Sequence, residues 1–187
     1  MNRILKTALA TLAATAALAL TACEQANTCT YDESAGTLSC SEKTYRTTKI
    51  GGKVWMAENI DIYTPDSSIC YGNDHANCEA MGRLYTWNAA TTGLCPKGWA
   101  LPTQQDFKEA FGNANAAALK EEASFGMKFA GFRYFDGKFA DKGASASFWT
   151  NDSYDDSRAY LVRATDTSIT YEHFNKNIFA SVRCIKE

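Results

Sequence analysis

The cysteines constrain this chain more than any other residue type. There are 7 in 187 residues, an odd number, so they cannot all pair within one chain. At least one must be free, intermolecular or chemically modified. The chain around them is 45% hydrophobic and 12% aromatic with only 3 Pro, which excludes a disordered or collagen-like polymer. Its length suits one domain with an appendage. A net charge of −2 leaves no basic footprint for nucleic acid.

The N-terminus accounts for the odd cysteine. Arg3 and Lys6 form a short cationic start, and an apolar stretch from Ala8 to Leu20 follows, broken by Thr11 and Thr15. That stretch is too short and too rich in Ala to span a bilayer stably, so residues 1–22 read as a lipoprotein signal peptide. It ends in Leu20-Thr21-Ala22-Cys23, which resembles the bacterial lipobox. There the cysteine becomes the first mature residue and carries a diacylglycerol thioether. Acyl chains contribute about 0.8 kcal/mol per buried methylene, so several of them hold a domain at the bilayer. Cys23 is therefore the expected lipidation site, and a membrane is the expected partner. Residue 24 is Glu rather than the Asp that resembles an inner-membrane retention signal. The expected location is the cell envelope, as an outer-membrane lipoprotein facing the periplasm or the cell surface. Losing Arg3 and Lys6 with the signal makes the mature chain mildly acidic.

Export leaves Cys29, Cys40, Cys70, Cys78, Cys95 and Cys184 in a disulfide-permissive compartment. Number alone fixes no connectivity, but spacing discriminates. Cys29 and Cys40 bracket strand-like runs around Ser34-Ala35-Gly36, a short hairpin. Cys70 and Cys78 bracket the turn-rich Gly72-Asn73-Asp74, and Cys95 is left to reach Cys184. A metal reading competes: Cys70, His75 and Cys78, with Cys95 nearby, offer sulfur and nitrogen ligands. The export signal and the lack of a paired CxxC knuckle weigh against it. The expectation is disulfides and no metal.

Along the chain, residues 23–44 form a lipid-anchored lead-in with a small disulfide hairpin, and residues 45–187 form the domain. Tyr45–Ile50 and Lys53–Met56 around Gly51-Gly52 predict a β-hairpin with a primed turn. Residues 63–80 read as a loop, and Gly82–Ala90 as one short helix from the spacing of Leu84, Tyr85, Trp87 and Ala90. Gly98–Pro102 is strand-like and leads to Thr103, an N-cap with Asp106 in a capping-box place. Residues 113–123 read as a second helical run. The last third is strand-like over Gly131–Tyr134, Lys138–Ala140, Ala146–Thr150, Ala159–Arg163, Ile169–Phe174 and Ala180–Ile185. The predicted class is α+β: short helices packed on small antiparallel sheets, closed by the final strand and stapled by disulfides.

Several phrases stand in a telling order. Thr48-Lys49-Ile50-Gly51-Gly52-Lys53-Val54-Trp55-Met56-Ala57-Glu58-Asn59 comes first, followed by Cys70-Tyr71. Gly82-Arg83-Leu84-Tyr85-Thr86-Trp87-Asn88-Ala89-Ala90 precedes Cys95-Pro96-Lys97-Gly98-Trp99-Ala100-Leu101-Pro102-Thr103. Phe148-Trp149-Thr150 and Ser181-Val182-Arg183-Cys184 complete the series. It resembles the Fibrobacter succinogenes major paralogous domain, a bacterial family of exported and often lipidated proteins, over about residues 45–187. The resemblance implies a C-type-lectin-like fold akin to the sulfatase-modifying-enzyme domain. That fold commonly ties its first and last parts with a long-range disulfide, in keeping with Cys95–Cys184. The lectin calcium phrases are not present as such, since Trp149-Thr150-Asn151-Asp152 carries one residue too many. The sulfatase-modifying enzymes use a pair of late cysteines, whereas here Cys184 is the only late one, so the oxidase activity is not carried over.

Chemistry-bearing motifs are scarce. The two histidines, His75 and His173, read as surface or satisfied residues, and no catalytic elbow, metal-protease helix or phosphate loop occurs. Any carboxylate pair for glycoside hydrolysis needs a spatial separation that sequence does not supply. Asn151, Asp152, Asp155 and Asp156 are oxygen ligands without EF-hand spacing. Trp55, Trp87, Trp99 and Trp149 read as core. Flat aromatic faces stack on sugar rings while neighbouring polar groups bond hydroxyls, which makes Tyr134, Asn151, Asp152 and Tyr154 the candidate ligand-binding residues. The expected function is a non-enzymatic binding module, without cofactor, for polysaccharide or surface adhesion. The alternatives are a structural or protein-interaction component of the envelope, or a degenerate enzyme.

Overall fold

A computed structural model describes residues 29–40, 43–112, 119–121 and 125–187. Cys23 and the signal peptide lie outside the described residues, as does most of the helical run expected over 113–123.

The lead-in hairpin consists of β1 (Thr30–Asp32) and β2 (Thr37–Ser39), and Cys29 and Cys40 are bonded at its open end. The Asp32 carboxylate accepts from the Ser34 and Ala35 amides and so closes the turn. Leu38, fully buried, sits opposite Tyr45 in β3 (Thr44–Ile50). The hairpin is thus an extension of the domain's first sheet rather than a free arm. β4 (Lys53–Met56) follows through Gly51 and Gly52, both at positive φ (59° and 80°), as a primed turn requires.

Residues 63–80 are more ordered than a loop. They hold β5 (Ser68–Ile69), a 3-10 turn over Tyr71–Asn73, and α1 (His75–Met81). The helix is short and polar, so it has little periodic signal. Its start is fixed by Asp74 accepting from the Ala76 amide, and Cys78 ties it to Cys70. It ends at Gly82, where φ is 77° and an added Cβ would lie 2.6 Å from the Asn59 Cβ. The single helix expected over Gly82–Ala90 is instead β6 (Leu84–Tyr85) and then α2 (Trp87–Thr91). Leu84 and Tyr85 are both buried because β6 lies between two strands, and Thr86 caps the helix after it.

β7 (Trp99–Ala100) leads into α3 (Gln104–Phe111). The Thr103 hydroxyl accepts from the Asp106 amide while the Asp106 carboxylate accepts from the Thr103 amide, the expected capping box. Burial by itself would raise the Asp106 pKa. The Lys53 ammonium and the Thr103 donors outweigh it and hold the carboxyl below its usual range.

The last third forms β8 (Phe132–Arg133), β9 (Phe139–Ala140), β10 (Ala146–Ser153), β11 (Arg158–Ala164) and β12 (Ile169–Asn175). The strand expected over Ala180–Ile185 is divided into β13 (Ala180–Ser181) and β14 (Ile185–Lys186), which belong to different sheets. One sheet has the order β1-β2-β3-β4-β14-β7 and the other β12-β11-β10-β13-β6-β5, with β8 and β9 paired by themselves. The pairing of β10 with β13 is parallel, so the second sheet is mixed, while every pairing in the first is antiparallel. Val182-Arg183-Cys184 crosses from one sheet to the other, and Cys184 bonds Cys95 across a separation of 89 residues. All three disulfides therefore carry the pairings expected from spacing, and the class is α+β.

β10 is buried on both faces from Ala146 to Thr150. Phe148 joins Trp55, Phe107, Phe111, Phe125 and Val162 in one core cluster, while Trp149 joins Tyr45, Tyr85, Leu161 and Val182 in another. Where the sheets join, Arg183 is wholly buried. Its Nε donates to Asn59 Oδ1 at 2.8 Å, Nη1 to the Phe125 carbonyl and Nη2 to the Gly126 carbonyl at 2.8 Å. The guanidinium also lies 4.1 Å from the Phe125 ring centroid. Burial pushes its pKa down to about 9, which leaves it charged at neutral pH.

Candidate functional site

Three of the four candidate ligand-binding residues come together at the β10–β11 turn. The β10–β11 register shifts between Trp149 and Ser153, so β10 bulges over Thr150–Asp152. The bulge docks on the start of α3. The Asn151 amide donates to the Pro102 carbonyl at 2.8 Å, and Asp152 Oδ2 accepts from the Gln104 amide at 2.6 Å. Asp152 thus satisfies an unpaired N–H in the first turn of a helix, where a negative charge is favoured. Asn151 remains exposed.

Beyond the bulge, Tyr154 is 45% exposed and stacks on His173 with centroids 3.9 Å apart and planes at 15°. Tyr160 meets Tyr154 edge-on at 5.4 Å. These rings share a face because of register: Tyr160 is opposite His173, Val162 opposite Tyr171, and Arg158 opposite Asn175. The Val162 end of that face is covered by the core around α3, and the Tyr160 end is not buried.

The turn itself is densely hydrogen-bonded. Asp155 Oδ1 accepts from the Ser157 and Arg158 amides, and Oδ2 alone meets both Arg158 Nε (2.8 Å) and Nη2 (2.6 Å). The Arg158 guanidinium, with those amides, holds the Asp155 carboxyl far below the usual range. The same guanidinium lies 4.7 Å from the Tyr154 ring centroid. Lys176 Nζ donates to the Asp155 carbonyl at 2.7 Å and sits 4.4 Å from the Trp87 ring. Trp87 in turn donates to the Thr150 carbonyl. The turn, the bulge and α2 are thereby locked together.

Tyr134 is elsewhere. It lies at the β8–β9 turn, 39% exposed, against Phe132, which packs on Phe174. Phe174 is opposite the buried Ala159, so its side chain points to the sheet face away from His173. The structure therefore separates Tyr134 from Asn151, Asp152 and Tyr154.

The oxygen-rich set Asn151, Asp152, Asp155 and Asp156 does not converge. Asp152 turns to α3 and Asp155 to its own turn, and no group of three or more His, Cys, Asp or Glu placed to hold a metal occurs among the described residues. The zinc alternative loses its thiols, because Cys70, Cys78 and Cys95 are all in disulfides. His75 pairs with Glu79 on the exposed face of α1. His173, by contrast, is part of the aromatic surface. The alternation of Tyr171 and His173 in a strand-like run is the period-2 signal that points to it.

With this geometry in place, comparison with known proteins adds one finding. The family model of the Fibrobacter succinogenes major domain matches residues 48–117. Over those residues the chain is similar to that domain. No curated protein and no solved structure matches it. The matched part of the major domain runs from within β3 to just past α3 and includes Trp55, Asn59, Tyr85, Trp99 and the Thr103 cap. It thus holds much of the framework, including the Asn59 partner of Arg183, while the Tyr154–Tyr160–His173 surface lies beyond it. The match spans less of the chain than the resemblance over residues 45–187.

Proposed function

We propose that this is an exported, lipid-anchored envelope protein whose domain is a non-enzymatic binding module for polysaccharide. The observation that carries the reading is the Tyr154–His173 stack with Tyr160 at its edge, flanked by exposed Asn151 and Ser153 and held by the Asp155–Arg158 turn. Aromatic rings supply apolar contact area at low entropy cost, and neighbouring amides and hydroxyls suit sugar hydroxyls. The Leu20-Thr21-Ala22-Cys23 phrase supports the anchor. The finer fold reading, a C-type-lectin-like domain, draws support from the insertion of β14 between β4 and β7 and from the long Cys95–Cys184 link.

The test is retention on glycan arrays and insoluble polysaccharides. Tyr154→Ala and His173→Ala should each weaken retention about tenfold or more, as loss of an aromatic anchor does. Retention no greater than that of an unrelated lipoprotein removes the polysaccharide reading. A second reading, a protein-interaction component of the envelope, draws on Asp152, Asp155 and Arg158 being satisfied within the fold. Crosslinking in intact cells that yields a reproducible protein partner without glycan retention favours it.

A further inference from the structure

The β8–β9 hairpin carries a different surface. Its closing pair is Tyr134 and Lys138, with the Tyr134 amide donating to the Lys138 carbonyl at 2.8 Å. Gly137 takes φ 94°, which lets the three-residue tip of Phe135, Asp136 and Gly137 close tightly. The turn pushes Phe135 outward to 68% exposure with Tyr134 beside it at 39%. No core explains a phenylalanine so exposed at the apex of a tight turn. Asp136 is not a free charge, because it accepts from the Lys138 amide and pairs with the Lys138 ammonium at 3.0 Å.

Behind the apex the surface is aromatic and cationic. The Arg133 guanidinium lies 4.9 Å from the Phe179 centroid and 5.9 Å from that of Phe139. Phe139 meets Tyr71 at 4.9 Å, and Lys142 Nζ is 5.7 Å from Tyr71. Arg133 has no carboxylate partner among the described residues, and Lys142 donates only to the neutral Asn77. Two uncompensated cations behind an exposed Phe and Tyr thus stand out on a chain whose net charge is negative.

We propose that this hairpin tip is a membrane contact that docks on an anionic phospholipid surface. Phe135 would enter the boundary between headgroups and acyl chains, with Tyr134 at the headgroup level and Arg133 and Lys142 facing lipid phosphates. A convex tip with an apolar apex backed by cations suits a soft anionic interface better than a sugar ring. The length of the N-terminal chain supports this occupant and rests on the lipid-anchored reading above. Cys23 and Cys29 are six residues apart, so a fully extended tether reaches only about 20 Å. Such a tether turns membrane contact into a near-intramolecular event.

The experiment uses the purified full-length chain with Phe135→Trp and vesicles of phosphatidylethanolamine with or without phosphatidylglycerol. Mass spectrometry of the same preparation shows whether Cys23 carries lipid. Failure of the anchor and failure of the tip contact are therefore read separately. The expected result is a blue-shifted emission, absent in the parent, that lipids brominated near the headgroup quench only when phosphatidylglycerol is present. Arg133→Gln and Lys142→Gln should each weaken vesicle affinity about fivefold, and the contact should weaken as salt is raised. Emission that phospholipid leaves unchanged overturns the proposal. So does emission that responds equally to neutral vesicles, or that shifts only with a soluble anionic glycan.

Discussion

At the residue scale, Arg183 and the buried tyrosines show how polar groups specify this core. Arg183 brings a cation into the interior and distributes its N–H groups over the Asn59 side chain, just after β4, and the carbonyls of Phe125 and Gly126. Removing it leaves those acceptors unpaired and opens a cavity. Arg183→Ala should therefore destabilise the fold by roughly 3–5 kcal/mol in urea unfolding. A loss below about 1 kcal/mol, the net worth of one ordinary hydrogen bond, would show that Arg183 does not hold the junction. Tyr45 and Tyr85 hold the chain after β4. The Tyr45 hydroxyl accepts from the Asp61 amide, and the Tyr85 hydroxyl both accepts from the Ile62 amide and donates to its carbonyl. Burial, chiefly, pushes the Tyr45 pKa up to about 12, and burial raises Tyr85 in the same direction. A tyrosine raised in the folded state favours folding fully below its unfolded pKa of about 10. That contribution is lost as pH climbs towards the folded value. Stability should thus fall between about pH 10 and 12, by roughly 1–3 kcal/mol for Tyr45, and Tyr45→Phe should flatten part of that slope. An alkaline profile identical in the variant would contradict this.

At the element scale, the disulfides differ in what they constrain. Cys95–Cys184 closes a loop of 89 residues and fixes the crossing between the two sheets, whereas Cys29–Cys40 and Cys70–Cys78 close separations of 11 and 8. In the chain-entropy model the long bridge contributes about 4–5 kcal/mol and each short one roughly 2–3 kcal/mol. Replacing Cys95 and Cys184 by Ser should lower the thermal midpoint more than replacing Cys29 and Cys40 does. The reverse order would place the stability in the lead-in. Several elements were legible from local chemistry: the Gly51-Gly52 turn, the Thr103–Asp106 capping box and the lead-in hairpin are each decided by residues a few positions apart. Others were not. α1 is too polar to show a period, and β6 resembles helix in sequence because two buried strand residues precede a helix with its own apolar face. Ala180–Ile185 looks like one strand in sequence because an apolar run carries no sign that its two ends pair with different neighbours.

At the scale of the whole molecule, the tether and the two exposed aromatic surfaces make the functional claims. If Cys23 carries the anchor, Cys23→Ser should move the protein from the membrane fraction to the soluble fraction, while Cys184→Ser should chiefly damage the fold. A Cys23→Ser protein that still fractionated with membranes through a lipid would refute the assignment. The candidate surface was partly legible, since Asn151, Asp152 and Tyr154 are adjacent in sequence. Tyr134 shares only their chemistry, and the register of β12 puts it on the other side of the sheet.

The sequence by itself determined the capping and turn chemistry and the α+β class and favoured the three cysteine pairings over the other connectivities, because each rests on short spacing or on what short spacing leaves over. Only the tertiary structure decided that the last strand divides between two sheets, that Arg183 joins them from within, and that His173 stands beside Tyr154. Those outcomes depend on which distant segments become neighbours when both faces of β10 are buried, and no local pattern of residues encodes a neighbour that far away.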